Sequence, residues 1–113
     1  MNQKYEITDI VHPQYPWLHR IRALRDVRED VHAGDLGGFV QSEENLSQEG
    51  QCWVANNAVA AEESYISGDA IMWDYSCARG CAVISGKSRI GGEAIIEDHA
   101  IVTSGSVSYT HLT

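Results

Sequence analysis

A six-residue pattern of apolar and small side chains runs through the second half of the chain. An apolar residue recurs at Val54, Ala60, Ile66, Met72, Ala78, Ile84, Ile90, Ile96 and Val102. A small residue follows each by four positions, at Ala58, Ser64, Ala70, Ser76, Ala82, Ser88, Ala94, Ala100 and Ser106. A six-residue period held over so many repeats is typical of a β-helix. We therefore predict an all-β fold, a single-stranded parallel β-helix with about three regular coils.

Strand geometry assigns the sides of each repeat. Alternate side chains of a strand point to opposite faces, so Ala94 and Ile96 point inward while Ile95 and Glu97 point outward. Two turn residues then follow, of the Gly, Asn and Asp types that tolerate corners. Three strands and three corners make a coil of about eighteen residues, which stacks residues eighteen positions apart.

The chain before the repeats predicts a cap on one end of the solenoid. Met1 to Trp17 shows little periodicity and is interpreted as an extended lead-in. A strand is predicted around His19 to Leu24, and Asp35 to Val40 predicts a turn leading into another strand. We assign residues 1–50 to this lead-in with its capping strands, and residues 51–106 to the β-helix.

The last seven residues do not continue the repeat. Residues 107–113 resemble a translated sequencing-adapter tail, and we predict that they are non-native or disordered. The native protein is then expected to continue beyond Ser106, which makes the chain a fragment. Tyr109 and His111 are accordingly given no functional weight.

Charge and composition exclude several classes of function. The net charge is −8, from 16 acidic and 8 basic residues, which disfavours binding to nucleic acid or to an anionic membrane surface. No apolar run is long enough to span a bilayer, and the amino terminus lacks the layout of a signal peptide. The odd count of three cysteines without a CxxC pair indicates neither disulfides nor a zinc module. We expect a cytoplasmic protein without a cofactor.

The segment preceding the repeats resembles a known family. The elements Asp30-Val31-His32-Ala33-Gly34, Gly37-Gly38-Phe39-Val40, Asn45-Leu46-Ser47 and Gly50-Gln51-Cys52-Trp53-Val54 occur in that order. In this order, followed by hexapeptide repeats, they are similar to the YdcK-like proteins, bacterial and phage members of the hexapeptide-repeat (LpxA-like) superfamily. The resemblance implies a left-handed coil, an uncertain role and more coils than this chain carries.

One corner column holds chemically capable side chains. The predicted eighteen-residue coil stacks Glu63, Cys81 and His99 above one another. A thiol beside an imidazole with a nearby carboxylate is a weak candidate for a nucleophile pair or a partial metal site. The alternative is that corners face water and therefore take polar residues.

The outer surface is the second candidate site. Trp53, Ile71, Trp73 and Arg89 share one predicted face, which is more apolar than a solvated face needs to be. The cover would be a partner copy in a homotrimer, another protein, or the amino-terminal segment folding back with Trp17 and Leu18. The alternative is the ordinary preference of strands for β-branched and aromatic residues.

Two functions from different classes remain open. Hexapeptide acyltransferases, which the chain resembles in its coils, typically use a histidine as general base and build an acceptor pocket with a looped insertion. This chain has no insertion across its repeats, and His99 is the one histidine within them. The sequence therefore favours a non-catalytic β-helix scaffold or binding domain over an acyltransferase that uses an acyl-CoA donor.

Overall fold

The computed structural model describes residues 3–108 and 110–112. Within them the fold is all-β, with one short 3-10 helix at Glu43–Asn45. The strands are β1 Tyr5–Val11, β2 His19–Ala23, β3 Leu36–Val40, β4 Trp53–Val54, β5 Val59–Ala60, β6 Tyr65–Ile66, β7 Ile71–Met72, β8 Cys77–Ala78, β9 Val83–Ile84, β10 Arg89–Gly91, β11 Ile95–Ile96, β12 Ile101–Val102, β13 Ser106–Ser108 and β14 His111–Leu112. No helix in this part of the chain is long and apolar enough to cross a membrane.

Strands β4 to β12 begin every six residues and stack as three parallel sheets. The first face contains β4, β7 and β10, the second β6, β9 and β12, and the third β5, β8 and β11. On the first face Trp53 pairs with Ile71 and Ile71 with Arg89, each step being eighteen residues. The predicted parallel β-helix is confirmed, while its left hand stays a prediction.

The inward columns form the core of the solenoid. All nine apolar positions of the repeat are buried, and so are eight of the nine small positions. The outward neighbours of one repeat, Ile95 and Glu97, are partly exposed, whereas Ala94 and Ile96 are fully buried. The predicted inside and outside assignments therefore hold through Val102.

A left-handed backbone conformation recurs at every corner. The residues with positive φ in the coils are Gly50, Asn56, Glu62, Gly68, Asp74, Gly80, Gly86, Gly92 and Asp98, again six apart. Glycine reaches this conformation without the steric penalty that a Cβ brings, and Asn and Asp tolerate it better than most residues. The corner sequence thus sets where each strand ends and the chain turns.

Gly68→Ala tests this corner rule. Gly68 has φ of +67°, and a Cβ placed there would lie 2.9 Å from the Gly86 nitrogen of the next coil. We expect the variant to lose about 2 kcal/mol of unfolding free energy in urea denaturation, since the left-handed region alone costs about 1–2 kcal/mol for a side-chain-bearing residue. Asp74→Gly, at an equivalent corner, should cost nothing. Equal stability of Gly68→Ala and the parent would refute the assignment.

The eighteen-residue period ends after Val102. Ser106 pairs with Arg89, a step of seventeen residues, so it takes an outward position and is exposed instead of lying inward as predicted. Val107 then occupies the position above Ile90. The physical reason is one residue fewer in the turn that contains Gly105.

Two short strands include residues of the predicted tail, and the first of them begins one residue before it, at Ser106. Residues 106–108 pair with β10, and His111–Leu112 pairs with β11. Tyr109 and Thr113 of that tail, like Met1 and Asn2 of the lead-in, lie outside the described residues. The non-native origin of the tail stays a prediction.

The amino-terminal segment forms an antiparallel meander on the third face. β1 pairs with β2 and β2 with β3, while β3 continues in parallel alongside β5. The predicted strands around His19 and before Val40 are therefore present. β1 was missed inside the extended lead-in, although Tyr5-Glu6-Ile7 alternates apolar and polar residues as a strand does.

Side chains of this segment satisfy the carbonyl groups at the open end of the coil. Lys4 Nζ donates to the oxygens of Cys52 at 2.8 Å and Glu49 at 3.2 Å. Asn45 Nδ2 donates to the oxygens of Glu62 and Ser64 at 3.1 and 2.9 Å. Unpaired buried carbonyls are costly. In the middle of the solenoid the neighbouring coil donates to such carbonyls, and at this end the Lys4 and Asn45 side chains donate to them instead.

Candidate functional site

The corner column predicted from the repeat is present in part. The Cys81 thiol donates to Glu63 Oε2 at 3.2 Å, eighteen residues away. His99 is exposed one coil further on, and no hydrogen bond joins it to Cys81 in the described part of the chain. The structure thus brings the thiol and the carboxylate together without the imidazole.

The electrostatics of this pair oppose nucleophilic chemistry. The hydrogen bond to Glu63 is the main cause that raises the pKa of the Cys81 thiol, assisted by the nearby charges of Glu62 and Asp98. A nucleophilic cysteine needs a lowered pKa, because the thiolate is the reactive form. Within residues 3–108 and 110–112, no group of three His, Cys, Asp or Glu side chains is placed to hold a metal ion.

Glu63→Gln tests the cause of the raised pKa. Removing the carboxylate charge should lower the pKa of the Cys81 thiol towards its ordinary value and therefore speed its alkylation by iodoacetamide at neutral pH. The rate is measured at Cys81 by peptide mass spectrometry. Glu93→Gln, an exposed carboxylate elsewhere on the coils, should leave it unchanged. A slower reaction in Glu63→Gln would contradict the assigned cause.

The predicted interaction face is only partly open. Trp53 is 1% exposed, which corrects its assignment to an exposed surface. The amino-terminal segment covers it: the Tyr5 ring meets the indole edge-on with centroids 6.4 Å apart, and a Cβ at Gly37 would lie 2.8 Å from it. Ile71 and Trp73 remain partly exposed and Arg89 is exposed.

The amino-terminal segment therefore covers part of the first face, as one of the alternatives predicted, but through Tyr5 and Gly37 and not through Trp17 and Leu18. Leu18 is buried against Phe39, Ala61 and Val59 of the third face. Trp17 is 55% exposed and covers little. The residues that bury Trp53, namely Tyr5 and Gly37, were not identified from the sequence, because contacts across that many residues leave no local signal.

The open remainder of the first face lines a groove of about 510 Å³. Trp73 is one of its lining residues, and its indole lies so close to Gly91 that a Cβ built there would be 2.2 Å from the ring. The Arg89 guanidinium lies 5.5 Å from the centroid of the same indole. Asp30 and Asp35 border the groove on the amino-terminal side.

The chain is similar in sequence to a known protein. No family model matches the chain. Over 92 residues, 80% of the chain, the sequence is 33% identical to the Escherichia coli (strain K12) protein named uncharacterized acetyltransferase YdcK. The chain is a homologue of YdcK. The predicted resemblance to YdcK-like proteins is thereby confirmed. The chain spans 24% of the length of YdcK, so the relationship concerns a part of that protein.

Proposed function

We propose that this chain is a non-catalytic β-solenoid scaffold that associates with a second copy of itself through the open first face. The observation that supports this most is the unbroken coil. From Trp53 to Val102 every strand follows the last after one corner, with no inserted loop to build an acceptor pocket. The Glu63–Cys81 pair, with its raised thiol pKa, supports the same view.

The composition of the first-face groove suits association between copies. Ile71, Trp73 and Leu36 supply apolar surface, and Leu36 is 50% exposed. Arg89 provides positive charge at the rim, while Asp30 and Asp35 provide negative charge. A surface with both signs of charge around an apolar centre can complement a copy of itself, as an isologous interface requires.

Light scattering after size exclusion tests the proposed association. The parent chain should show a mass above that of one copy, increasing with concentration, and Ile71→Glu should reduce it to a single copy because a buried carboxylate is costly. Ser67→Glu, at a partly exposed outward position of the second face, is the matched control and should leave the mass unchanged. A single-copy mass for the parent at all concentrations would refute the association.

Acyl transfer from an acyl-CoA donor is the second candidate. The similarity to YdcK, which is named an acetyltransferase, favours it. In that case His99 would be the general base to examine first, as the histidine within the repeats. Its exposed corner position and the absence of a hydrogen bond to Cys81 among the described residues give it no oriented partner, and a general base is normally held by one.

A further inference from the structure

A second groove, on the third face, is lined by aromatic side chains. It has a volume of about 380 Å³ and lies between the lead-in loop and the coil. Tyr15 and Trp17 stand on the loop side, and Tyr75 stands at a corner of the coil. These three residues are 45%, 55% and 68% exposed, respectively. We call this the aromatic groove.

The loop that forms one wall of the aromatic groove is held in shape. The backbone N–H of His12 donates to the backbone oxygen of Leu18 at 2.9 Å, and the backbone N–H of Leu18 donates to the backbone oxygen of Tyr15 at 2.9 Å. The His12 ring packs against Tyr15 and against Phe39, with centroids 5.0 and 4.7 Å apart. A wall that is ordered before binding lowers the entropic cost of ligand capture.

The floor of the aromatic groove is apolar, and the charged groups around it carry one more negative than positive charge. Val59 and Cys77 are partly buried outward residues of the third face. Arg79 is ion-paired with Glu97 at 3.1 Å, so its positive charge is compensated. Glu62 contributes a further carboxylate to the lining. The local balance is therefore negative, and the chain as a whole carries −8.

Electron-rich ring faces near a carboxylate attract organic cations. The chain itself uses this interaction elsewhere, with Arg20 lying 4.3 Å from the centroid of the Phe39 ring and Arg89 lying over Trp73. In the described residues, no Lys or Arg of the chain occupies the ring faces of Tyr15, Trp17 or Tyr75 in this way. Quaternary ammonium groups are the ligands that proteins typically recognise with such aromatic sites.

We propose that the aromatic groove binds a small organic cation of the quaternary ammonium class, with its methyl groups against Tyr75 and the Trp17 wall and its charge near Glu62. Volumes of about 300–1,000 Å³ are usual for small-molecule sites. The proposal concerns a different face from the scaffold interface and stands independently of it.

Choline and its neutral carbon isostere 3,3-dimethyl-1-butanol test the proposal. The two probes have nearly the same shape, so a difference between them isolates the charge. Binding is followed by NMR through the three tryptophan indole N–H signals. Choline should shift the Trp17 signal saturably, leaving those of buried Trp53 and first-face Trp73 in place, and should bind on the order of tenfold more tightly than the isostere. Equal binding of both probes, or no shift at Trp17, would overturn the proposal.

Substitutions in the coil provide a second test of choline binding. Tyr75→Ala should weaken choline binding about tenfold, whereas Tyr65→Ala, an exposed tyrosine on the second face, should not change it. Saturating choline should also slow alkylation of Cys77 on the floor without slowing that of Cys81 outside the aromatic groove. Full choline affinity in Tyr75→Ala would contradict the placement, and so would unprotected Cys77.

Discussion

Ala94→Phe is expected to destabilise the solenoid strongly. Ala94 is fully buried and stacks eighteen residues above Ser76, which is fully buried as well. No neighbouring column can yield the volume of a phenyl ring, because the strands are fixed at the spacing of hydrogen-bonded chains. Overpacking a dense core by a few methylene groups already costs about 1–3 kcal/mol. We expect a loss beyond that range, with the melting temperature lowered by about 10 °C or more.

Thermal unfolding followed by circular dichroism measures this effect. Ser67→Phe is the matched control, since it places the same ring on an outward and partly exposed position of the solenoid. Surface changes of that kind usually alter stability by no more than about 0.5 kcal/mol. An unchanged melting temperature for Ala94→Phe, or an equal loss in both variants, would contradict the inward register.

Lys4→Met is expected to weaken the attachment of the amino-terminal cap to the coil. The Lys4 side chain is fully buried, and its amino group donates to the oxygens of Cys52, Glu49 and Gly50. Methionine retains most of the volume but cannot donate a hydrogen bond to these acceptors. A buried polar group left unpaired costs about 1–3 kcal/mol. We therefore expect the unfolding free energy to fall by about 2 kcal/mol, whereas Lys87→Met at an exposed corner should have no effect.

The same substitution should change how stability depends on pH. Burial lowers the pKa of Lys4 below its ordinary value of 10.5. Between the lowered pKa and 10.5 the unfolded chain binds more protons than the folded one, so this group makes the unfolding free energy rise with pH. Burial raises the pKa of Tyr5, which acts in the opposite direction above pH 10 but is common to both proteins. The stability difference between parent and Lys4→Met should therefore widen as the pH approaches 10.5.

Urea unfolding at several alkaline pH values measures that difference. A constant gap between parent and variant would mean that Lys4 has the same pKa in both states. A variant as stable as the parent at neutral pH would show that the Lys4 hydrogen bonds contribute nothing to holding the cap.

The coils could be predicted from sequence because their causes are local and repeated. Every six residues an inward pair such as Ala94 and Ile96 must be small and apolar, and a corner residue such as Gly68 or Asp74 must adopt positive φ. The cap could not be predicted in the same way. Lys4 meets Cys52 across 48 residues and Asn45 meets Ser64 across 19, and neither contact repeats or follows a strand or helix period.

The candidate site could likewise be predicted where it depends on the repeat and not where it depends on long-range contacts or side-chain orientation. Stacking by eighteen residues correctly brought Cys81 to Glu63, but a register cannot show which way an exposed corner side chain turns, and His99 lies without a bond to either residue in the described chain. Trp53 was placed on the correct strand and face. Its burial depends on Tyr5 and Gly37, which cover it from a distant part of the sequence.

Calorimetric titration of acetyl-CoA into the purified chain tests the central claim most directly. A non-catalytic scaffold should give no saturable heat at protein concentrations that would detect a micromolar dissociation constant. ATP, which carries the nucleotide charge without the pantetheine arm, serves as the control for nonspecific binding. Saturable micromolar binding of acetyl-CoA would contradict the scaffold and favour the acyltransferase in its place.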